Sequence, residues 1–247
     1  MNNLKLSVVI PAFNESVNIQ RGSLDEVETY LAKQKYYYEV LIIDDGSTDE
    51  TVSLIERKIK NKKDFKLIRN PHGGKAIAVM SGLLEAKGQI VLFTDMDQAT
   101  PLQEVEKFWK KFDEGFDIVI GSRQGRKGAP MLRKIAAYCF ANIRNIILGL
   151  PYIDTQCGFK AFTNQAVQEI FPTLSTYWKK IKESGAAVNA GFDVEMLFLA
   201  KKKNLKIAEV VVDWHHVGTE RVQIIKDSIE AIKDVLRIRL NDWTGKY

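Results

Sequence analysis

The chain has 247 residues, of which 45% are hydrophobic and 27% are charged, a balance that is typical of a folded domain and argues against disorder. This length suits one large α/β domain or two small ones. The formal net charge of +5 is compatible with anionic ligands, whereas the sequence lacks runs of Lys and Arg interleaved with aromatic residues, so we expect no nucleic-acid partner.

The N-terminal residues and the longest apolar stretch bear on where the protein acts. Residues 1–5 run directly into a predicted strand, so we expect no signal peptide and predict a cytoplasmic, not a secreted, protein. A membrane span requires roughly 18–20 uninterrupted apolar residues. The nearest stretch, residues 135–150, is interrupted by Asn142, Arg144 and Asn145, so we predict a peripheral membrane contact at most.

The first half of the chain alternates apolar runs with helical patterns. The predicted strands are residues 6–12, 40–43, 66–68, 89–94 and 116–120. Near-continuous apolar runs are typical of strands that are buried on both faces. Their alternation with helices predicts an α/β fold with a Rossmann-like, mostly parallel central sheet flanked by helices.

Two helix starts directly follow acidic strand ends. Ser47 with Glu50 forms a predicted capping box, and Thr100 followed by Pro101 predicts a second helix start. The order strand, acid, helix places four aspartates at the carboxyl edge of the sheet, where open parallel sheets bind their ligands. These are Asp44, Asp45, Asp95 and Asp97, and we expect their four carboxylates to meet in a single pocket.

The second half of the chain is less regular. Residues 121–130 are rich in Gly, Lys and Arg and are predicted as a loop, and residues 155–162 as a short strand. A helix is predicted over 192–203 and a buried strand over 205–212. Ile225, Ile229, Ile232 and Leu236 recur at helical spacing, which predicts a final amphipathic helix.

The segment Asp95-Met96-Asp97 is the main candidate for a metal site. Two carboxylates one residue apart at a strand end suit Mg²⁺ or Mn²⁺, which prefer oxygen ligands and keep positions for water and substrate phosphates. Such an ion would hold a diphosphate and neutralise the charge that develops on it as a leaving group. The pattern alone is also common in ordinary loops.

Two further strand ends are candidates for a nucleotide site. In the segment from Pro11 to Glu15, Phe13 is placed to stack on a base and Glu15 to bind its edge, although an ordinary strand-to-helix turn has the same composition. Asp45 is placed to accept hydrogen bonds from a base or ribose. Lys75 follows two glycines and precedes a helix, a pattern that suits a phosphate.

The order and spacing of these motifs resemble family-2 glycosyltransferases of the GT-A fold over roughly residues 5–240. The resemblance implies that the first motif and Asp45 contact the nucleobase. A narrower resemblance, to dolichyl-phosphate glucosyltransferases among the polyprenyl-phosphate sugar synthases, is carried by four segments. They are Gly121-Ser122-Arg123, the stretch from Asp154 to Lys160, Phe192-Asp193-Val194-Glu195 and Val212-Asp213-Trp214.

The narrower resemblance implies a UDP-glucose donor, a polyprenyl phosphate acceptor and inversion at the sugar. The absence of an internal repeat, a low-complexity tract or a clear linker predicts one domain over residues 1–247, with a nucleotide-binding half of about 1–122 and an acceptor-binding half of about 123–247. We predict Arg123 and Arg133 as ligands of the acceptor phosphate, because guanidinium binds phosphate bidentately. The predicted catalytic residues are Asp97, Arg123, Asp193 and Glu195.

Residues 131–150 are the predicted membrane-facing element. In this interpretation Arg133, Lys134 and Arg144 meet anionic headgroups while apolar residues, among them Ile143, contact acyl chains. A core helix is the alternative interpretation.

Three other functions remain open on the sequence. A glycosyltransferase acting on a hydroxyl group of a glycan, lipid or protein would share these motifs. A sugar nucleotidyltransferase shares a similar sheet and metal site, and a non-catalytic nucleotide-sugar binding protein would share the donor site.

Overall fold

The structure is a computed structural model that describes residues 4–123, 131–183, 191–215 and 224–247. Its strands are β1 (Leu4–Ala12), β2 (Tyr37–Asp44), β3 (Phe65–Arg69), β4 (Ile90–Thr94), β5 (Ile118–Ser122), β6 (Phe159–Thr163) and β7 (Ile207–Val211). Its helices are α1 (Ser16–Gln20), α2 (Ser23–Leu31), α3 (Thr51–Ile59), α4 (Lys75–Glu85), α5 (Glu106–Asp113), α6 (Met131–Leu148), α7 (Asn164–Glu183), α8 (Phe192–Lys202) and α9 (Ile224–Trp243).

The strands form one sheet of seven in the order β3-β2-β1-β4-β6-β5-β7. Strands β1 to β4 pair in parallel, as do β5 and β7, whereas β6 runs antiparallel to both β4 and β5. The predicted mostly parallel sheet is therefore confirmed. The carboxyl ends of β1, β2 and β4 share one edge of this sheet, and the amino end of β6 reaches the same edge.

Helices cover both faces of the sheet, which explains the continuous apolar strands. In β1, Val9 belongs to the core cluster under α4, α7 and α8, while Val8 and Ile10 belong to the cluster under α1, α2 and α5. All three side chains are fully buried. Full burial of one such side chain contributes about 1.5–3 kcal/mol, so the strand is held from both sides.

The predicted capping box at Ser47 is wrong. Helix α3 begins at Thr51, and its cap residue, Glu50, makes no side-chain capping bond. The carboxylate of Asp44 accepts hydrogen bonds from the backbone N–H groups of Gly46 and Ser47 at 3.2 Å. Because these bonds hold the chain in a turn, the helix begins only at Thr51.

The second predicted helix start, at Thr100 and Pro101, also lies several residues before the α-helix begins. Pro101 precedes a short 3-10 helix, Leu102–Val105, and no side-chain bond from Thr100 caps it. The α-helical geometry begins only at Glu106. In the segment predicted as a loop over 121–130, Gly121 and Ser122 complete β5, and residues 124–130 lie outside the described residues.

The predicted role of Arg144 at lipid headgroups is wrong. Its side chain is 1% exposed, and Nη1 donates to the hydroxyl of Thr155 at 2.9 Å. Burial lowers the pKa of this guanidinium. Arg144 thus connects α6 to the loop that precedes β6. Among the described residues, no helix combines the length and apolar character needed to cross a membrane.

Candidate active site

Two aspartates at the end of β4 face a cavity at the carboxyl edge of the sheet. Asp95 and Asp97 flank Met96, whose side chain is 2% exposed and packs in the core. In the turn that follows β4, the side chain of Met96 packs in the core, whereas both carboxylates line the cavity. The cavity has a volume of about 190 Å³, and its lining includes Lys75, Thr100, Arg123, Gln156, Gly158 and Trp214.

Gly158, just before β6, lets the carboxylate of Asp95 approach the backbone. A Cβ atom on Gly158 would lie 1.9 Å from Oδ2 of Asp95, far inside van der Waals contact. Any other residue at this position would displace the carboxylate. The antiparallel strand β6 therefore supplies one wall of the site, a contact that the sequence pattern did not predict.

Lys75 extends from the N-terminus of α4 to the same carboxylate. Its Nζ lies 2.5 Å from Oδ1 of Asp95. Burial lowers the pKa of Lys75, but the negative charges of Asp95 and Asp193 outweigh this effect, so the pKa is raised. Lys75 is therefore a cation that lies among carboxylates at the cavity, and its role at a diphosphate stays a prediction.

Asp45 lies behind this arrangement, so the expectation that four strand-end aspartates meet in one pocket is wrong. Its Oδ1 accepts the backbone N–H of Gly73 at 2.7 Å, and its Oδ2 accepts that of Gly74 at 2.8 Å. The side chain is 3% exposed. Backbone amides at a helix start are strong partners for a carboxylate, so Asp45 fixes the start of α4 and thereby the position of Lys75.

Side chains and backbone join the loops after β1 and β2. The backbone N–H of Asn14 donates to Oγ of Ser47 at 3.0 Å, and Oδ1 of Asn14 accepts the N–H of Thr48 at 2.8 Å. The N–H of Glu15 donates to Oγ1 of Thr51 at 2.7 Å. These bonds hold the two predicted nucleotide-binding segments side by side.

The predicted base-binding residues occupy the edge of this joined loop. Pro11 is buried in β1 beside β2. Phe13 is 42% exposed and stacks on His72 with the ring centres 4.5 Å apart. Burial raises the pKa of Glu15, and the negative charge of Asp97 adds to the shift. Glu15 is therefore electrostatically coupled to the cavity.

Arg123 reaches the cavity from the end of β5 and is held by Asp154. Nε donates to Oδ2 of Asp154 at 2.7 Å, and Nη2 donates to Oδ1 at 3.0 Å. The carboxylate of Glu209 fixes Asp154 in turn, because it accepts the backbone N–H of Asp154 at 2.8 Å. The indole ring of Trp214 lies 5.8 Å from the guanidinium carbon of Arg123. The sequence pattern does not reveal that Asp154 is the partner of Arg123.

Lys160 is a buried cation two residues beyond Gly158, and the sequence pattern did not predict it as a site residue. It lies on β6 between β4 and β5, and its side chain is 0% exposed. Its Nζ donates to Oδ1 of Asp193 at 2.6 Å and to the backbone oxygen of Cys157. Asp193, 14% exposed, is thus held in place by Lys160, and its charge helps to raise the pKa of Lys75, which lines the cavity. A Lys on a strand with apolar neighbours was the available signal.

The predicted catalytic residue Glu195 does not line the described cavity. Glu195 is 0% exposed and its carboxylate contacts Tyr247 and Arg237 instead. Burial raises the pKa of Glu195. Arg133 belongs to α6, but its side chain lies outside what the structure describes, so its role at the acceptor phosphate stays a prediction.

The residues at the end of β4 fit a divalent cation. Asp95 and Asp97 offer two carboxylates to the cavity, and hard oxygen donors are the ligands that Mg²⁺ and Mn²⁺ prefer. Within the described ranges, no group of three or more His, Cys, Asp and Glu side chains is assembled for a metal. An ion at this site would therefore take its remaining ligands from substrate and water.

The chain is similar to curated proteins over almost its full length. It is 34% identical to the dolichyl-phosphate beta-glucosyltransferase of Dictyostelium discoideum, with 99% of this chain and 77% of that protein aligned. It is 33% identical to the protein of the same name from Saccharomyces cerevisiae, with 98% of this chain and 76% of that protein aligned.

Solved structures of low sequence identity share the fold. Mannosyl-3-phosphoglycerate synthase from Rubrobacter xylanophilus aligns with a TM-score of 0.68 at 17% identity, over 99% of this chain and 76% of that one. Glucosyl-3-phosphoglycerate synthase from Mycobacterium tuberculosis, in complex with UDP, aligns with a TM-score of 0.66 at 20% identity, over 96% and 80%. These are glycosyltransferases of the GT-A fold, which confirms the predicted fold class.

Residues 7–171 match the protein family described as glycosyl transferase family 2. That match covers more than half of the chain, and the relatives above extend the similarity to nearly all of it. The chain belongs to glycosyl transferase family 2.

Proposed function

We propose that the protein transfers glucose from UDP-glucose to a polyprenyl phosphate, with inversion at the anomeric carbon. The observation that carries the proposal is the 34% identity, over 99% of the chain, to a protein named dolichyl-phosphate beta-glucosyltransferase. The cavity supports it, because it combines paired carboxylates with Lys75 and Arg123. Such a site suits a reaction between two phosphate-bearing substrates.

The proposed reaction depends on alignment of the two substrates and on stabilisation of the developing charge more than on proton transfer. An oxygen of the acceptor phosphate attacks the anomeric carbon and forms the new glycosidic bond, while the bond to the UDP oxygen breaks and UDP leaves. A phosphate oxygen is already anionic at neutral pH, so no strong general base is required. The protein contributes by holding both substrates in line, an effect of several kcal/mol in favourable cases.

Asp95 and Asp97 are the residues proposed to hold Mg²⁺ or Mn²⁺. A divalent cation there supplies positive charge to the leaving diphosphate. Lys75 supplies a second positive charge from the start of α4, where backbone amides also favour an anion. One of the solved relatives, the mycobacterial glucosyl-3-phosphoglycerate synthase, is described in complex with Mn²⁺ and UDP-glucose, which is consistent with this assignment.

The nucleotide is proposed to lie against the joined loops after β1 and β2. Phe13 offers a half-exposed ring for stacking on the base, and Glu15 offers a carboxylate for its edge. Pro11 and Asp45 are buried and are proposed to shape this site. In this proposal the donor lies on the half of the domain formed by about residues 1–122.

The acceptor is proposed to lie against the second half, about residues 123–247. Arg123 grips its phosphate, with Arg133 as the proposed second ligand. Asp193, placed by Lys160, is proposed to orient the reacting groups. Glu195 is buried away from the described cavity, and we propose that its role is to anchor α8 to α9.

A lipid acceptor requires contact with a membrane, and α9 offers a surface for it. Four apolar residues on this helix are at least half exposed, and their spacing of three to seven places them on one face. They are Ile229, Leu236, Leu240 and Trp243. On the adjoining α6, Ile146 is 83% exposed. We propose that this apolar face lies on the cytoplasmic side of a membrane, with Trp243 at the interface.

One assay separates the proposed function from its alternatives. Purified protein is incubated with UDP-glucose and Mn²⁺, and with either a polyprenyl phosphate or a free glycan as acceptor. We expect release of UDP and a glucosylated lipid phosphate only with the first acceptor. Transfer to the glycan would favour the hydroxyl-acceptor alternative, release of pyrophosphate from UTP and glucose 1-phosphate a nucleotidyltransferase, and binding without turnover a non-catalytic protein.

A further inference from the structure

The two oxygens of the Asp95 carboxylate have different nearest neighbours. Its Oδ2 is pressed against Gly158, where an added Cβ would lie 1.9 Å away, compared with 2.9 Å for Oδ1. Oδ1 forms the ion pair with the Lys75 ammonium, whose Nζ lies 2.5 Å away. A cation that enters the cavity and binds Oδ1 therefore meets Lys75 at the same atom.

We propose that Lys75 competes with the divalent cation for Oδ1 of Asp95, and that the donor diphosphate relieves this competition by giving Lys75 another anionic partner. The inference rests on the metal-dependent transfer proposed above and deepens it. Metal binding and nucleotide binding would then be coupled: each improves the affinity for the other by the same factor.

The surroundings of Lys75 allow it to change partner. Its side chain is 50% exposed, and a lysine ammonium is a point charge on a flexible four-carbon stem. The base of the residue is fixed, because α4 starts where Asp45 binds Gly73 and Gly74. The ammonium can therefore change position by rotation of the side chain while the backbone of Lys75 stays fixed.

This competition predicts that Lys75 has opposite effects on metal binding and on nucleotide binding. In the absence of nucleotide, Lys75 neutralises Asp95 and repels an incoming divalent ion, so the ion binds weakly. When a diphosphate is present, the ammonium moves to it and Asp95 becomes available to the metal. Removing the ammonium should strengthen metal binding alone while weakening nucleotide binding, two effects of opposite sign.

The test measures Mn²⁺ binding and not activity. Mn²⁺ is titrated into the protein with and without UDP, and the free ion is followed by electron paramagnetic resonance. In Lys75→Met we expect Mn²⁺ alone to bind about tenfold more tightly than in the unmodified protein, which corresponds to about 1.4 kcal/mol. The gain in Mn²⁺ affinity caused by UDP should shrink in the same variant.

Two control variants test whether the effect depends on the charge at position 75 and on that position alone. Lys75→Arg retains the charge and should behave like the unmodified protein. Lys58→Met removes a surface lysine that also lies 2.5 Å from a carboxylate, that of Asp25, and should leave Mn²⁺ binding unchanged. Lys75→Gln repeats the test should Lys75→Met lower the unfolding temperature.

Two outcomes overturn the inference and are distinguishable. Equal or weaker Mn²⁺ binding by Lys75→Met and Lys75→Gln, with the UDP effect intact, would show that Lys75 does not compete with the ion. In that case the proposed function stands. Failure of the unmodified protein to bind Mn²⁺ even with UDP would overturn the metal-dependent function together with the inference.

Discussion

Asp154 holds the guanidinium of Arg123 with two parallel hydrogen bonds, from Nε at 2.7 Å and from Nη2 at 3.0 Å. The same carboxylate accepts the backbone N–H of Arg123 at 3.1 Å. An arginine fixed at both its backbone and its side chain is positioned before a substrate arrives. The orientation of Arg123 at the cavity is thus set by a residue that lies 31 positions away in the sequence.

Asp154→Asn should impair transfer without removing Arg123. In the amide an NH2 donor replaces one of the two acceptor oxygens that bind the guanidinium, so the paired hydrogen bonds are lost and the side chain loses its fixed orientation. We expect kcat/KM for the lipid phosphate to fall about 10–100-fold, because misplacement of a catalytic group by about 1 Å has effects of this size. Steady-state kinetics at varied acceptor concentration would measure this kcat/KM, and an unchanged value would contradict the positioning role of Asp154.

Gly158→Ala should abolish transfer while the protein stays folded. The added methyl would overlap Oδ2 of Asp95, at 1.9 Å, and displace the carboxylate from the proposed metal site. We expect at least about a hundredfold loss of kcat, the size of effect caused by losing one charge-stabilising group. Circular dichroism would establish the fold. Gly115→Ala, at a left-handed turn with open space around it, is the control: it should cost about 1–2 kcal/mol of stability and leave kcat unchanged.

Asp97→Asn should reduce Mn²⁺-dependent transfer by at least about a hundredfold, since an amide is a poorer ligand for a hard cation than a carboxylate. Asp113→Asn, at an exposed position at the end of α5, provides a matched change that should have no effect. Rates measured over a range of Mn²⁺ concentrations would separate lost metal affinity from lost turnover. Full activity of the Asp97 variant would remove this residue from the site.

Leu240→Asp should weaken binding to anionic vesicles. Leu240 is 56% exposed, and placing a charge on the apolar face of α9 opposes its burial among lipids. Flotation with vesicles that contain phosphatidylserine would show the loss. Val17→Asp changes a side chain of similar exposure, 54%, on α1, and should float as the unmodified protein does. Equal flotation of both variants would contradict the membrane role of α9.

The buried Glu195 predicts a pH dependence of stability. Burial raises the pKa of this carboxyl above its ordinary value of 4.5, so the folded state binds its proton more tightly than the unfolded state does. The resulting stabilisation is complete below pH 4.5 and is lost as the pH rises through the folded-state pKa. The free energy of unfolding relative to Glu195→Gln should therefore decrease between pH 4.5 and neutrality.

Denaturant unfolding at several pH values would measure this difference. Glu26→Gln, which changes an exposed carboxylate on α2, should show no such trend relative to the unmodified protein. A free-energy difference for Glu195→Gln that stays constant with pH would indicate that the folded environment does not perturb this group.

The sequence by itself determined the sheet and the position of the Asp95 segment. Long apolar runs that end in acids fix both the strands and the edge at which the acids lie, because burial on two faces leaves no other arrangement. The predicted strand over 89–94 is observed as Ile90–Thr94, and that over 205–212 as Ile207–Val211. The similarity of the motifs to family 2 was confirmed by the match over residues 7–171.

Only the tertiary structure decided which acids face the cavity and which hold its frame. Asp45 and Asp95 have the same local pattern, an acid after a buried strand, yet one binds backbone amides and the other lines the cavity. Lys160 and Asp154 acquire their partners through the antiparallel β6 and the loop before it. Such pairings join residues far apart in the chain, so periodicity and spacing carry no information about them, and three-dimensional packing alone selects each partner.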